Sequence, residues 1–450
     1  MTAHEGTMSP MSRIALSLML LAVLPVTSAA DELAALPLGD PARAFEFVSG
    51  EAGQFLDLAG AAKGDGSRVV ELETLAADLS KADVVLIGEH HTHGAGHAAQ
   101  ARLLTAIAAT GRPFALGMEF FESQDDAALA RFLAGTTDVE AMLLETGWYD
   151  AGGFNFEYYR PLLEVARAHR APILGLNVPR SIVRTMSRQG YDALSAGDKA
   201  LVGELGEGDP RHRFVVDTMM GGASASMPQM FEGMYRGQRT WDNAMARSIL
   251  RAREGIAKDR LVVVIVGVGH VAHGLGIPQR LRAASSGLDV RVVVPVVAER
   301  PDKDAMVHPG LTATESATFS RGYGDYACVL ADEGGAEPYP TFGITLEQVE
   351  GLTGLRVTNV DAGSVAQRSG IAKDDVLVAI AGESVVSLPK TRLRLSASRW
   401  NDRVELSLRR GTAEIVVPVL VVPATDGPGR WLKSAGASEV LDAFDPRSQL

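Results

Sequence analysis

Short apolar runs recur along the first three hundred residues of this 450-residue chain, and four of them lead within a few residues to polar side chains. Runs of this kind, rich in Val, Ile and Leu, are typical of strands buried on both faces of a parallel sheet. They lie at residues 84–87, 114–117, 173–176, 261–266 and 290–294. Pro295 is expected to end the last of these strands, because proline cannot donate a ladder hydrogen bond.

Helical periodicity fills the intervals between the runs, at residues 98–110, 127–134 and 158–169. Strands that alternate with helices indicate βαβ units. We therefore predict an α/β fold with a mainly parallel β-sheet flanked by helices. Residues 180–258 contain no strand run, and their helical pieces predict an insertion that covers the binding crevice.

The polar residues that follow the runs are predicted to share one crevice. Ligands of open α/β sheets bind outside the carboxyl ends of the strands. If the strands are parallel neighbours, these ends bring together the side chains of Glu89, His91, Glu119, Asn177 and His270.

The chemistry of this predicted site leaves two interpretations open. Two carboxylates and two imidazoles, Glu89, His91, Glu119 and His270, could hold a divalent transition metal that activates water for hydrolysis. Without a metal, His91 or His270 could act as a general base oriented by a carboxylate. A peptidase or esterase is therefore one functional hypothesis.

The predicted insertion contains an unusual number of methionines. Met227, Met230 and Met234 are spaced by three and four residues, which places them on one helical face. Ordinary core packing is one interpretation, because Met fills irregular gaps. An adaptable wall for a large apolar ligand is the other.

A second domain is predicted from several short strands and turns between residues 338 and 423. The turn Gly363-Ser364-Val365-Ala366 and the later segment Asp374-Asp375-Val376-Leu377 resemble the corresponding parts of bacterial PDZ domains. Asp374 departs from the pattern, in which Gly is usual. The resemblance implies a small, mostly-β domain.

PDZ domains bind a peptide by adding it as a strand, and a backbone nest captures its C-terminal carboxylate. By resemblance, that peptide-binding loop is Phe342-Gly343-Ile344, with Phe342 and Ile344 lining the pocket. The expected partner is a peptide or protein C-terminus. Intramolecular docking or dimerisation is the alternative use of this domain.

The larger domain resembles the ChaN family of haem-binding uptake proteins over residues 80–295. The resemblance rests on Gly88-Glu89-x-His91 with His97 and Gln100, Gly117-Met118-Glu119 with Gln124, Tyr159-x-Pro161, Asn177-Val178-Pro179-Arg180, Gln238-x-x-Trp241-Asp242-x-x-Met245-Ala246, and Gly267-x-Gly269-His270 with Gly276-Ile277-Pro278. The wider superfamily includes erythromycin-esterase-like hydrolases and Tiki-type metalloproteases, so the hydrolase hypothesis stays open.

The resemblance implies haem as the cofactor, in an exported compartment, with a homodimer as the assembly that could hold it between two protomers. Tyrosinate is a known axial ligand of haem iron. The candidate ligands are Tyr149, Tyr158, Tyr159 and Tyr235. Trp241, Met230 and Met234 are candidates for the apolar walls of the haem slot.

The N-terminus predicts export to the periplasm or beyond the cell. Arg13, the apolar core 14–26 and the small residues Ser28-Ala29-Ala30 are typical of a secretory signal peptide. No Cys is present to accept a lipid there, and Cys328 is the only cysteine in the chain. A net charge of −12 argues against nucleic acid as a partner.

These patterns predict the domain organisation. We assign a signal peptide to residues 1–30, a ChaN-like haem-binding domain to 31–300, a linker to 301–337, a PDZ domain to 338–423 and a tail to 424–450. Three functional hypotheses follow: haem or iron uptake with a peptide-binding module, hydrolysis at the Glu/His cluster, and an inactive scaffold.

Overall fold

The computed structural model describes residues 37–64, 66–149, 154–299, 315–333 and 339–423. The predicted signal peptide and the predicted C-terminal tail lie outside these residues. None of the helices in the described ranges is long and apolar enough to cross a membrane.

The larger domain is built on an eight-stranded sheet with the order β3-β2-β10-β8-β4-β7-β5-β6. The strands of this domain are β1 (Phe47–Glu51), β2 (Phe55–Asp57), β3 (Val69–Val70), β4 (Val84–Glu89), β5 (Phe114–Glu122), β6 (Ile173–Asn177), β7 (Leu261–Gly267), β8 (Val290–Val297), β9 (Ser316–Ser320) and β10 (Tyr326–Leu330). Strands β1 and β9 form a separate antiparallel pair.

Helices lie on both faces of the sheet, as βαβ connections require. They are α1 (Leu72–Leu79), α2 (Gly94–Ala109), α3 (Asp126–Leu133), α4 (Val139–Glu145), α5 (Arg160–Ala168), α6 (Arg180–Gln189), α7 (Ala196–Val202), α8 (Pro210–Met219), α9 (Ala223–Ser226), α10 (Pro228–Glu254) and α11 (Ile277–Ala284). Helices α6 to α10 follow β6 without an intervening strand, which confirms the predicted helical insertion.

The central strands run parallel from β10 across to β6. Every residue of β4 and β7 is buried, because helices cover both faces of the sheet. The predicted α/β fold is thereby confirmed, and the carboxyl ends of β4, β7, β5 and β6 lie side by side at one edge.

Two predictions about the end of the larger domain are wrong. Residues 316–330, assigned to a linker, contribute β9 and β10, and β10 pairs with β8 inside the main sheet. Pro295 does not end β8, which continues to Val297. Because β4 pairs with β8 only as far as Val293, the missing N–H of Pro295 costs no ladder hydrogen bond to β4. Gly88 leaves room for this ring, since a Cβ there would lie 3.0 Å from Pro295 Cδ.

The smaller domain has a mostly antiparallel sheet of its own, with β11-β12-β13-β15-β16 as neighbours and β14 beside β13. Its elements are β11 (Ile344–Glu347), β12 (Leu355–Val360), α12 (Val365–Arg368), β13 (Val376–Ile380), β14 (Glu383–Ser384), α13 (Leu388–Ser396), β15 (Arg403–Arg410) and β16 (Ala413–Leu420). Asp374 has a φ of 71°, a conformation that Asp tolerates better than most residues, so it can replace glycine.

Candidate functional site

A crevice of about 590 Å³ opens at the carboxyl ends of the parallel strands. As the strand order predicts, it is lined by Glu89, His91, Glu119, Asn177 and His270. Helix α10 of the insertion forms the opposite wall with Gln238 and Trp241. This volume is typical of sites that enclose a small molecule or cofactor.

Glu89, the last residue of β4, orients His91. The Nδ1–H of His91 donates to Glu89 Oε1 over 2.8 Å, and the hydroxyl of Tyr159 donates to the same oxygen over 2.7 Å. Burial opposes protonation of His91, but the hydrogen bond to Glu89 and the charge of Glu119 raise its pKa above the ordinary value. A carboxylate on Nδ1 fixes the ring and leaves Nε2 as the nitrogen that can meet a ligand.

A second chain of charges joins β5, β7 and α10. His270 Nδ1 donates to Asp242 Oδ1 over 2.6 Å, and His270 Nε2 lies 3.4 Å from Glu119 Oε1. Glu119 Oε2 also accepts the N–H of Gly267 over 2.6 Å. In this arrangement both ring nitrogens of His270 are occupied, so neither is free to bind a metal or to accept a proton from a substrate.

These contacts hold the pair in its charged form. Burial disfavours a charged imidazole, but Glu119 and Asp242 raise the pKa of His270 to about 10. Burial would raise the pKa of Glu119, but the charge of His270 and its hydrogen bond lower that pKa to about 2. His270 is therefore an imidazolium at neutral pH, between two carboxylates.

Asp242 is a site residue whose role the sequence did not reveal. It is completely buried, and its other oxygen lies 3.3 Å from His212 Nε2 and 3.6 Å from Arg280 Nη1. Gln238 lies one helical turn before Asp242, and its side-chain nitrogen is 2.9 Å from His270 Nδ1. The spacing of four residues, which puts both side chains on one face of a helix, was the available signal.

Aromatic side chains form the apolar part of the crevice wall. Phe154 stacks on His91 with ring centroids 4.8 Å apart, and Phe120 meets the same ring edge-on at 5.2 Å. Trp241 and Met219 line the side formed by the insertion, and the exposed Arg180 supplies a positive charge at the crevice. The crevice thus combines aromatic walls with an imidazole and a guanidinium.

The predicted tyrosine ligands lie behind or beside the crevice rather than in its lining. Tyr159 is fully buried, and burial and the charge of Glu89 raise its pKa well above the ordinary value. The Tyr235 hydroxyl bonds to the carbonyl of Asp209, the Tyr158 hydroxyl to that of Thr92, and Tyr149 reaches the smaller domain. Tyrosinate ligation therefore stays a prediction without support from this geometry.

The methionine face of α10 is exposed, so the core-packing interpretation is wrong. Met227, Met230 and Met234 are 48%, 49% and 38% exposed. Of the methionines discussed here, Met219, at the end of α8, lines the crevice, and it is also exposed. Met230 and Met234 therefore extend an apolar surface beyond the crevice instead of forming its wall.

The predicted metal ligands do not form one cluster. Glu89 pairs with His91, and Glu119 pairs with His270. Within the described ranges, no group of three or more His, Cys, Asp or Glu side chains is placed to hold a metal ion. The metal-dependent interpretation consequently has no preformed set of ligands here.

The predicted peptide-binding loop precedes the open edge of β11. Phe342 is buried in the core of the smaller domain, and Ile344 is half-buried on it. Gly343 has a φ of 68°, and a Cβ there would lie 2.3 Å from Ser364 Cβ. Glycine is thus required at this position, directly before β11, which pairs with β12 and with no other strand of the described ranges.

Two family models match this chain. Residues 75–281 match the model described as haem-binding uptake, Tiki superfamily, ChaN, and residues 340–421 match that of the PDZ domain.

Two curated relatives match over part of the chain, and both are named probable periplasmic serine endoprotease DegP-like. The protein from Chlamydia trachomatis is 36% identical over 85 residues, which cover 18% of this chain and 17% of that protein. The protein from Chlamydia muridarum is 37% identical over 82 residues, 18% of this chain and 16% of that protein. The chain thus spans less than a fifth of the length of these relatives.

Solved structures also resemble the larger domain. ChaN of Campylobacter jejuni, described with cofacial haem binding, is 16% identical, covers 61% of this chain and 95% of its own, and has a TM-score of 0.43. The erythromycin esterase EreC, in an open conformation, is 11% identical, covers 55% of this chain and 78% of its own, and has a TM-score of 0.30.

Proposed function

Because residues 75–281 belong to the ChaN family of haem-binding uptake proteins and residues 340–421 form a PDZ domain, we propose that this protein captures haem outside the cytoplasm for iron uptake. The PDZ domain would bring the haem-binding domain to the C-terminus of a partner protein. Export is supported by the apolar segment 14–26 and the small residues that follow it.

The crevice residues fit haem. A haem site needs apolar walls, an axial ligand and groups for the propionates. Phe120, Phe154 and Trp241 supply aromatic walls, and Arg180 could pair with a propionate. His91 is the best placed iron ligand, because its Nδ1–H is held by Glu89, as is usual for metal-bound histidine. Bound haem would supply an iron with a free coordination position. The protein would orient the imidazole towards it and exclude water.

A homodimer is the assembly that we propose for the haem-bound state. Met219 lines the crevice and is exposed, and the exposed Met230 and Met234 lie on α10, the helix whose Gln238 and Trp241 line the same crevice. Exposed apolar surface next to a ligand site is typical of interaction surfaces. A second protomer packed on these methionines would cover the open side of the crevice.

Replacing His91 with alanine is expected to abolish or strongly shift the Soret band of the haemin complex, because the iron loses its protein ligand. The measurement is a haemin titration of residues 31–450, followed by absorption. His169 is exposed and caps the C-terminus of α5, so His169→Ala is the matched control. This variant should bind haemin as the wild type does. The outcome against His91 is an unchanged spectrum in His91→Ala. If the spectrum shifts instead in Tyr149→Phe, Tyr158→Phe, Tyr159→Phe or Tyr235→Phe, that tyrosine is the iron ligand.

A hydrolase is the second candidate, favoured by the Glu89–His91 pair in an open crevice. This pair has the geometry of a carboxylate-oriented general base. The same variants can be screened with chromogenic esters and a peptide mixture. Saturable turnover that disappears in His91→Ala, without saturable haemin binding by wild type, would favour the hydrolase.

Peptide capture by the smaller domain depends on Gly343. Gly343→Ala is expected to abolish binding of peptides with a free C-terminal carboxylate, because the new Cβ would displace Ser364 and distort the loop before β11. Gly351 also has a positive φ but faces open space, so Gly351→Ala is the control. Fluorescence polarisation with labelled octapeptides ending in Val, Leu, Ile or Phe measures the affinity. Equal affinity of the two variants would refute this role of the loop.

A further inference from the structure

Helix α13 of the PDZ domain is hydrogen-bonded to Tyr149 and Asn155 of the larger domain. The hydroxyl of Ser396 lies 2.7 Å from that of Tyr149, and Asn155 Nδ2 donates to the carbonyl of Ser396 over 2.8 Å. Arg392 Nη1 donates to the carbonyl of Tyr149 over 3.3 Å. Tyr149 and Asn155 are thus held by the same PDZ helix.

Apolar packing reinforces this contact. Leu393 of α13 packs against the core of the larger domain, and Pro389 lines the same small cavity as Leu143 and Leu144 of α4. Just beyond α13, Arg399 Nη2 lies 3.0 Å from Glu157 Oε2. The two domains therefore meet through a mixed apolar and polar surface centred on α13.

The residue that precedes Asn155 forms part of the crevice wall. Phe154, next to Asn155 in the chain, stacks on His91. Its carbonyl accepts a 2.7 Å hydrogen bond from Trp148 Nε1. The hydroxyl of Tyr149 accepts the N–H of Phe156 over 3.2 Å. A shift of α13 would therefore reach Phe154, whose ring packs on His91, through the hydrogen bonds of Tyr149 and Asn155.

The other face of α13 belongs to the peptide-binding side of the PDZ domain. Leu388 and Leu395 pack partly buried on the PDZ core, where Ile344 and Leu346 of β11 also pack. A peptide that adds to the open edge of β11 places alternate side chains against this apolar surface. Peptide binding thus acts on the helix that holds Tyr149 and Asn155.

We propose that α13 couples the two sites, so that a C-terminal peptide on the PDZ domain changes the affinity of the crevice for its ligand. This inference rests on the proposed haem-binding function for its ligand. The coupling itself rests on the contacts of Ser396, Tyr149 and Asn155. By linkage, a crevice ligand must change the peptide affinity by the same factor.

The first test removes one hydrogen bond of this contact, the one between the hydroxyls of Ser396 and Tyr149, without touching either site. Ser396→Ala is expected to weaken haemin binding by the full chain roughly two- to tenfold, the range that the loss of one hydrogen bond corresponds to. Ser407, half-buried on β15, provides the control Ser407→Ala, which should bind as wild type does. Wild-type haemin affinity in both Ser396→Ala and Tyr149→Phe would overturn the proposal.

The second test uses octapeptides with a free or an amidated C-terminus. In the wild type, a bound free-acid peptide should shift the haemin dissociation constant, whereas the shift should be smaller in Ser396→Ala and the amidated peptide should produce none. A peptide that binds without any shift overturns the coupling. If no peptide binds, the haemin titrations of Ser396→Ala and Tyr149→Phe test whether the contact affects the crevice.

A failure of haem binding would be recognised separately. If wild type shows no saturable haemin binding, the proposed function fails, and hydrogen exchange of the full chain then judges the coupling. Ser396→Ala should accelerate amide exchange at residues 154–158, because Phe156 N–H loses its anchored acceptor. Exchange equal to that of Ser407→Ala would overturn the proposal.

Discussion

Replacing Asp242 with alanine is expected to lower the free energy of unfolding by about 3–5 kcal/mol, the usual cost of removing one partner from a buried ion pair. Asp242 is completely buried and faces the imidazolium of His270 and the guanidinium of Arg280. Without it, His270 would keep Glu119 as its only carboxylate partner in the described structure.

Equilibrium urea unfolding of the full chain would measure this loss. Asp242→Asn keeps the shape and removes the charge, so it separates electrostatics from packing. The exposed Asp192 provides a control, since Asp192→Ala should change stability by less than about 0.5 kcal/mol. A loss in Asp242→Ala no larger than in that control would show that this buried chain of charges does not stabilise the fold.

The Glu119–His270 pair is expected to confine maximal stability of the larger domain to roughly pH 4.5 to 6.5. Glu119 has a pKa of about 2 in the folded state, below its ordinary 4.5, so its stabilisation is lost as pH falls from 4.5 towards 2. His270 has a pKa of about 10, above its ordinary 6.5, so its stabilisation is complete below 6.5 and is lost as pH rises towards 10. The alkaline loss should reach about 3 kcal/mol near pH 9.

Urea unfolding between roughly pH 3 and pH 9 tests this dependence. The double variant Glu119→Gln, His270→Gln carries amides that do not titrate in this range, and it should show a much shallower alkaline limb. If the double variant retains the wild-type slope, the pH dependence must arise from other groups.

The sequence could predict the crevice because its main residues follow continuous apolar runs. Glu89, Glu119 and His270 each follow a run that had to be a buried strand, and parallel strands end at one edge. The role of Asp242 could not be predicted in the same way. It lies inside a 27-residue helix, and only the packing of that helix against β6 and α6 determines which side reaches His270.

The order of the outer strands was also hidden. Residues 326–330 are apolar, but they follow a stretch with little periodicity. The place of β10 between β8 and β2 depends on a contact with β2 that spans most of the chain. The exposure of Met230 and Met234 shows a related limit. Helical spacing defines a shared face, but it does not determine whether protein, ligand or solvent covers that face.

The position of β10 between β2 and β8 has a consequence for biosynthesis. The hairpin formed by β2 and β3 comes from the beginning of the chain, yet within the described residues the sheet joins it to the parallel strands through β10, a segment made about 270 residues later. Contacts so distant in sequence form slowly. The nascent larger domain therefore cannot close its sheet before residue 330 has emerged, so its early hairpin must wait without its partner strand while most of the chain is made.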